Sequence, residues 1–156
     1  MELKELTLRD RESMTKLYAD VFTGEPWNDD WSCPGQLDAY ITDLAGQSNS
    51  LTFGYFDGDR LIGLAMGHIR HWHEGTEYCI DEFCIARDMQ GRGHGGRFMD
   101  CVESQLLERG IPWIFLLTDR HMPAYDFYRK HGFRELHDNA ALVRKAGAPQ
   151  PGRNTP

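Results

Sequence analysis

The spacing of apolar residues switches between strand-like and helix-like patterns along the chain. Residues 2–8 alternate as in a strand, and Asp10 then precedes apolar side chains at helical spacing, which predicts an N-capped helix. The stripe of this helix consists of Met14, Leu17, Tyr18, Val21 and Phe22. A second helix is predicted to begin at Ser32 and Pro34. Its stripe consists of Leu37, Tyr40, Ile41 and Leu44.

The middle of the chain predicts an antiparallel meander. Three β-rich segments, 51–56, 60–73 and 77–86, are separated by turn sequences at 57–59 and 74–75. A glycine-rich turn, an amphipathic helix and a short apolar strand at 113–118 follow. This succession predicts one β-α-β crossover to a parallel strand.

The last part of the chain predicts a helix and two more strands. Pro123 begins the helix, Gly132 ends it, and the segments Phe133–Leu136 and Ala141–Arg144 predict a final strand pair. The full order is β-α-α-β-β-β-α-β-α-β-β. We therefore expect an α/β fold with a mixed, mostly antiparallel central sheet flanked by helices. Residues 1–145 are expected to form a single domain, and the Gly/Pro-rich residues 146–156 a disordered tail.

Composition and charge narrow the classes of function. The 156-residue chain carries a formal charge of -7, which disfavours nucleic-acid binding and would attract a cationic substrate. We expect no membrane span and no signal peptide. The four cysteines include no Cys-x-x-Cys pair, so we expect free thiols in a reducing cytoplasm and no metal site.

The chemically informative segment is a glycine-rich turn between a strand and a helix. It runs from Ile85 to Gly96, and glycine occupies four of the six positions 91–96. Helix N-termini present unpaired N–H groups to anions, and glycines let the backbone approach a phosphate closely. Arg92 and Arg97 would add positive charge at the rim. The pattern predicts a phosphate-binding turn.

The glycine spacing also matches the dinucleotide fingerprint, with Gly91, Gly93 and Gly96 in the three positions. That fingerprint requires the first glycine at the strand end within repeated βαβ units, whereas here four residues intervene after Ala86 and hairpins precede the turn. Asp119 lies too late in the chain to suit the ribose-binding acid. A nucleotide-dependent oxidoreductase is therefore a weaker interpretation.

Two motifs resemble those of the GNAT (GCN5-related) N-acetyltransferase family. Gln90-x-x-Gly93-x-Gly95, after a strand and before an amphipathic helix, resembles the family's pyrophosphate-binding motif. Ala124-x-x-Phe127-Tyr128-x-Lys130-x-Gly132-Phe133 resembles a second family signature. The resemblance covers about residues 3–144 and extends to the aminoglycoside 6'-N-acetyltransferases. One departure is His121, where the family often has asparagine.

The resemblance implies a GNAT-like fold, acetyl-CoA as the acetyl donor, and a set of donor-side residues. Coenzyme A would be held by Gln90 and by the turn residues Gly91, Arg92, Gly93, His94, Gly95 and Gly96. The pantetheine arm would pair like an added strand with the main chain of Phe83, Cys84 and Ile85. Tyr128 would donate a proton to the departing thiolate, since a phenol is protonated at neutral pH.

The acceptor amine must lose a proton before it attacks, so a base or a water chain is needed. Glu82 is our candidate, either as that base or as an anchor for a cationic substrate. Asp81 is its neighbour and is expected to point to the opposite face of the strand. The residues expected to border the acceptor pocket are Trp27, Asn28, Asp30, Trp72, Asp81 and Asp119.

The sequence therefore predicts an acetyl-CoA-dependent N-acetyltransferase that acts on a primary amine of a small cationic molecule, of the aminoglycoside or polyamine type. The amine would attack the thioester directly. A protein N-terminal or lysine acetyltransferase and a non-catalytic coenzyme A-binding module are the alternatives. The chain is expected to act as a monomer or a homodimer.

Overall fold

The computed structural model describes residues 1–146 and has an α/β fold with a five-stranded mixed sheet flanked by helices. The strands are β1 (Glu2–Leu6), β2 (Ser50–Asp57), β3 (Arg60–Trp72), β4 (Gly75–Ile85) and β5 (Trp113–Leu116). The helices are α1 (Arg11–Phe22), α2 (Gln36–Gly46), α3 (His94–Glu108) and α4 (Pro123–Lys130). The expected order is confirmed from the first strand to the last helix.

The strands lie side by side in the order that they have along the chain. Strands β1 to β4 pair antiparallel, while β5 pairs parallel with β4. Because parallel neighbours need a crossover, α3 carries the chain from β4 to β5. The parallel pairing covers only Glu77–Ile80 of β4. Beyond Ile80, this side of β4 has no strand partner within residues 1–146.

Helices cover both faces of the sheet. Helices α1 and α2 pack on one face, where Met14 and Ile41 are completely buried. On the other face Phe98 of α3 stacks between Tyr55 of β2 and Phe83 of β4, with ring centroids 5.1 and 5.0 Å apart. Burying an aromatic side chain of this size contributes about 1.5–3 kcal/mol, so this stack is a main anchor of α3.

A β-bulge interrupts the pairing of β3 with β4. Met66 pairs with Glu82 and the next residue, Gly67, pairs with Ile80, so Asp81 is an extra residue on β4. The bulge breaks the strand's alternation, which corrects the expectation that Asp81 points away from Glu82. Both carboxylates lie on the α2 side, because the Tyr40 hydroxyl bonds Glu82 while Tyr40 and Asp81 line the same cavity.

Several predicted boundaries differ from those observed. The first strand ends at Leu6, because Thr7 caps a 3-10 turn at Leu8–Asp10 and the Asp10 carboxylate accepts from the Thr7 N–H at 2.9 Å. Asp10 therefore caps this turn and makes no side-chain cap to α1. Helix α2 begins at Gln36 and not near Ser32, after Gly35 with φ of 77°.

The predicted final strand pair is wrong. Within residues 1–146 no strand follows β5, and neither Phe133–Leu136 nor Ala141–Arg144 is paired with the sheet. Leu142 and Val143 are 94% and 101% exposed, so these apolar side chains do not pack against a neighbouring strand. The predicted tail lies outside the described residues except for Ala146. No helix within the described range is long and apolar enough to cross a membrane.

Candidate active site

The glycine-rich turn connects β4 to α3 through a fixed backbone path. A 3-10 turn at Arg87–Met89 follows β4, and the Gln90 side-chain amide donates back to the Ile85 carbonyl at 2.8 Å. Gly91 and Gly93 have φ of 72° and 77°, a left-handed region that other residues rarely adopt. Gly93 is the N-cap of α3. The glycines at these two positions are thus required by the backbone itself.

The N-terminus of α3 offers donors for an anion. No side chain caps it, and the first N–H groups of any helix lack intrahelical acceptors. A Cβ placed on Gly91 would meet no atom within 4 Å, so the turn is open on that side. Arg97 donates to the Arg92 carbonyl at 3.1 Å and lies 3.3 Å from Nδ1 of His94, which places its positive charge beside the turn.

Gly95 and Gly96 have a packing role that the sequence did not reveal. A Cβ on Gly95 would lie 3.0 Å from the Phe127 ring, and one on Gly96 would lie 2.6 Å from Nε2 of His131. Both contacts are with α4, so these two glycines allow α3 and α4 to approach closely. Their presence is therefore explained by helix packing as well as by anion binding.

The main chain of Phe83, Cys84 and Ile85 lies where the partner of β4 is missing. These residues pair with β3 on one side, while β5 pairs no further than Ile80 on the other. Cys84 and Ile85 are buried, and Phe83 stacks between Phe98 and Phe127. The outer edge of this segment is therefore open to an extended ligand within the described structure.

Tyr128 lies in α4 close to this open edge. The side chain is 8% exposed and its ring contacts those of Phe83, Phe127 and Phe133, with centroids 6.4, 5.3 and 5.3 Å away. Burial raises the pKa of the Tyr128 hydroxyl, and the negative charge of Glu82 raises it further. No described residue hydrogen-bonds this hydroxyl, so it is a protonated donor without a protein partner.

Glu82 is held by two tyrosines from two helices. Its Oε1 accepts hydrogen bonds from Tyr40 of α2 at 2.5 Å and from Tyr18 of α1 at 3.2 Å. Burial raises the pKa of the Glu82 carboxyl, the two hydrogen bonds oppose that shift, and Asp29 and Asp81 add to it. Helical periodicity predicts that both tyrosines lie on the buried faces of their helices. It does not predict that both hydroxyls bond the same carboxylate.

Of the two tryptophans in the loop between α1 and α2, Trp31 and not Trp27 contacts the tyrosines that bind Glu82. Trp31 stacks on Tyr40 and lies edge-on to Tyr18, with centroids 5.3 and 5.8 Å away. Trp27 packs instead on Phe22, 5.5 Å away. Trp31 is therefore the tryptophan in contact with the residues that hold Glu82.

The polar residues of this loop are turned in different directions. Asn28 has φ of 53° and its N–H bonds the Gly24 carbonyl at 3.0 Å. Asp30 accepts from the Ser32 N–H at 2.9 Å, and hydrogen bonds from the Ser32 side chain and backbone lower the pKa of Asp30. The acidic residue whose charge acts on Glu82 is Asp29.

The structure separates Trp72 from Glu82. Trp72 lies six residues along β3 from Met66, the partner of Glu82, a distance of about 20 Å at the rise of a strand. Asp119 is exposed and accepts from the His121 N–H at 2.8 Å, just before α4. The remaining expected substrate residue, Asp81, lies beside Glu82 and contacts His68.

No group of three or more His, Cys, Asp or Glu side chains suited to a metal ion occurs within residues 1–146. The candidate active site of this α/β domain therefore combines the uncapped helix N-terminus after the glycine turn with the part-buried Glu82 and the buried Tyr128. Residues 11–133 match the model of the acetyltransferase (GNAT) family. The chain belongs to this family and is a GNAT acetyltransferase.

Solved structures of similar fold include enzymes with different acceptors. A ribosomal-protein-alanine N-acetyltransferase from Brucella melitensis biovar Abortus 2308 is 16% identical, with a TM-score of 0.72 over 93% of this chain and 100% of that one. The aminoglycoside N-acetyltransferase AAC(6')-Iy, in complex with a bisubstrate analog of CoA and acetylneamine, is 15% identical, with a TM-score of 0.70 over 92% and 97%.

A third similar structure is the aminoglycoside acetyltransferase meta-AAC0020 from an uncultured soil metagenomic sample, in complex with trehalose. It is 17% identical, with a TM-score of 0.68 over 92% of this chain and 96% of that chain. Comparison with curated protein sequences gave no match. At these sequence identities the similarity establishes the fold only. The acceptor substrate has to be inferred from the residues of the candidate active site.

Proposed function

We propose that this chain transfers the acetyl group of acetyl-CoA to a primary amine of a small cationic molecule, of the aminoglycoside or polyamine type, by direct attack of the amine on the thioester. The observation that carries the proposal is the part-buried carboxylate of Glu82, which accepts hydrogen bonds from Tyr18 and Tyr40. A fixed anion with aromatic neighbours suits a substrate ammonium group. The solved complex of AAC(6')-Iy with a CoA–acetylneamine analog supports the same substrate class.

The donor side fits coenzyme A in two respects. The capless N-terminus of α3 after Gly93, with the open space at Gly91, suits a diphosphate. The unpaired edge of β4 at Phe83–Ile85 suits the amide groups of an extended pantetheine arm. Acetyl-CoA supplies an acetyl carbon activated as a thioester. The backbone around Gln90–Gly96 binds and orients it, with Arg92 and His94 at the rim.

The two proton-handling groups have separate tasks. Tyr128 is kept protonated by burial and by the nearby negative charge, and it gives its proton to the sulfur of the leaving thiolate. Glu82 faces the acceptor side and binds the ammonium group or takes its proton. The carboxylates of Asp29 and Asp81 add negative potential there.

A protein N-terminal acetyltransferase is the second candidate. The similar fold of the ribosomal-protein-alanine N-acetyltransferase favours it, and a cavity of about 360 Å³ beside Tyr40 and Asp81 could hold one amino-terminal residue. A lysine acetyltransferase and a silent coenzyme A-binding module follow as weaker alternatives. We also propose a cytoplasmic location, consistent with four free cysteines, and a monomer or homodimer.

The test is a panel of amines with acetyl-CoA, monitored by release of free thiol. Aminoglycosides and spermidine represent the proposed class, and peptides with a free N-terminus represent the second candidate. We expect the highest kcat/KM with a polycationic small molecule. Faster turnover of peptides would favour the second candidate. Acetyl-CoA binding without thiol release above background hydrolysis for any amine would leave only the binding module.

A further inference from the structure

His68 and Asp81 form a side-chain pair next to Glu82 that the proposed reaction has not yet used. Nδ1 of His68 lies 3.0 Å from Oδ2 of Asp81, and the two side chains are 30% and 32% exposed. Both line the cavity of about 360 Å³, together with Tyr40. The pair is therefore accessible from solvent and lies beside the tyrosine that holds Glu82.

The bulge at Asp81 brings this pair to the candidate acceptor site. Met66 pairs with Glu82, and His68 lies two residues further along β3 on the same face. The rise of a strand places the Cα atoms of Met66 and His68 about 7 Å apart. One bound amine can therefore face both Glu82 and His68, directly or across one water molecule.

The hydrogen bonds divide the tasks between Glu82 and His68. Oε1 of Glu82 already accepts from Tyr18 and Tyr40, and such bonds favour the charged carboxylate. His68 uses only Nδ1, and no described residue bonds its Nε2. An imidazole that donates Nδ1–H to a carboxylate keeps the lone pair of Nε2 free to accept a proton. Glu82 is thus suited to binding a cation, and His68 to removing its proton.

We propose that His68, held in this tautomer by Asp81, accepts the proton of the acceptor ammonium group while Glu82 binds that group as a fixed anion, a role that rests on the function proposed above. The first proton passes from nitrogen to Nε2 of His68 and later to solvent. The neutral nitrogen then forms the C–N bond with the acetyl carbon, and the C–S bond breaks. The second proton leaves nitrogen after bond formation and replaces the one that Tyr128 gives to sulfur.

The charged groups around His68 favour this role. The titratable residues that line its cavity are Tyr40 from α2, Arg70 from its own strand, and Cys79 and Asp81 from β4. The β5 side contributes the apolar Phe115 and Leu117. The Arg70 guanidinium is paired with Glu77 at 2.7 Å. Asp81 is therefore the anion in direct contact with the ring.

The test compares His68→Gln and Asp81→Asn with a matched control, His137→Gln, whose side chain is 78% exposed. We expect His68→Gln to lower kcat about 100-fold with an unchanged Kd for acetyl-CoA, as for the loss of a general base. Asp81→Asn should lower kcat less. This loss should appear in kcat and leave the Kd for acetyl-CoA unchanged, because only the orientation of the imidazole is affected. The control should match the parent.

An acceptor amine that is already neutral separates chemistry from structure. With an amine whose pKa lies below the assay pH, no base is needed, so His68→Gln should stay within about threefold of the parent. Equal losses with both amines, or an unchanged kcat in His68→Gln, would overturn the inference while the proposed function stands. Should His68→Gln not fold, an unchanged kcat in Asp81→Asn overturns it. Absence of turnover by the parent with every amine would overturn the proposed function and this role together.

Discussion

The hydroxyl of Tyr40 lies 2.5 Å from Oε1 of Glu82 and so ties α2 to the carboxylate on β4. Tyr18 reaches the same oxygen from α1 at 3.2 Å. Both hydroxyls must donate, because an ionised carboxylate only accepts. Hydrogen bonds to a charged group are about twice as strong as neutral ones. Glu82 is therefore oriented by two helices before any substrate binds.

Tyr40→Phe removes the shorter of these two bonds and leaves the ring in place. The carboxylate of Glu82 then keeps only Tyr18 as a hydrogen-bond donor. The pKa of Glu82 should therefore rise, and the carboxylate should be held less firmly in the position where it binds a cation. A hydrogen bond to a charged group contributes about 1.5–3 kcal/mol, so the KM for a cationic amine should rise at least about 10-fold. Steady-state kinetics measure this, with Tyr125→Phe, which removes a hydroxyl bound to Glu135, as control. An unchanged KM would contradict the role of the bond.

Glu82→Gln should change how stability depends on pH. Burial raises the pKa of Glu82 in the folded chain, so the native state binds this proton more tightly than the unfolded chain does. The stabilising contribution is complete below the ordinary pKa of glutamate and is lost as the pH rises through the raised value. Glutamine does not titrate, so the free energy of unfolding of the variant should rise relative to that of the parent as the pH increases above the ordinary pKa of glutamate, by about 1.4 kcal/mol for each unit of pKa shift.

Denaturation by urea at a series of pH values measures that difference. Glu12→Gln, at an exposed position of α1, is the matched control and should show a constant offset from the parent. A difference between Glu82→Gln and the parent that stays flat with pH would mean that the carboxyl is not destabilised by burial. A difference that falls as the pH rises would mean that the two tyrosines outweigh burial.

Local patterns predicted the elements of the fold but not the contacts that depend on register. Helical spacing located α1 and α2 and placed Tyr18 and Tyr40 on their buried faces, yet periodicity describes a face and not the partner of a polar tip. Strand alternation assigned Asp81 to the wrong side because a bulge adds a residue that only the pairing with β3 reveals. The residues that complete the candidate site were therefore hidden from the sequence.

The end of the chain illustrates the opposite error. The alternation in Phe133–Leu136 and Ala141–Arg144 satisfies the pattern of a strand, but a strand also needs a neighbour and a buried face. Leu136 is 55% exposed and Leu142 is 94% exposed, and Phe133 packs on Tyr128 of α4 and not on a neighbouring strand. The glycine turn, in contrast, could be predicted from the sequence. Glycine adopts positive φ values far more readily than other residues, and Gly91 and Gly93 have such values in the structure.

Gly96→Ala should destabilise the contact between α3 and α4. Its Cβ would lie 2.6 Å from Nε2 of His131, whose Nδ1 is 2.7 Å from the Phe127 carbonyl oxygen, so the ring must leave that position. Overpacking of this kind costs about 1–3 kcal/mol. The double variant with His131→Ala should recover part of the loss, because the obstructing ring is gone. Urea unfolding of the parent, the two single variants and the double variant measures the coupling free energy between the two substitutions. If the two single effects on the free energy of unfolding simply add, the predicted clash does not occur.

Tyr128→Phe should separate catalysis from binding of the donor. The substitution removes one oxygen atom that no described residue bonds, and it keeps the ring packed on Phe127 and Phe133. Stability and the Kd for acetyl-CoA should therefore remain close to those of the parent. The loss of a positioned proton donor should lower kcat about 100-fold or more.

Tyr125→Phe on the same helix is the control for a lost hydroxyl, and thiol release together with calorimetric titration of acetyl-CoA gives both quantities. A Tyr128→Phe variant with full turnover would show that the thiolate departs without this proton. A variant that loses acetyl-CoA affinity in step with kcat would place the hydroxyl among the binding groups. Two side chains of α4, those of Phe127 and Tyr128, pack against Phe83, and of these Tyr128 alone carries a hydroxyl. A fall in kcat at constant affinity for acetyl-CoA would therefore assign the transfer of a proton to sulfur to Tyr128.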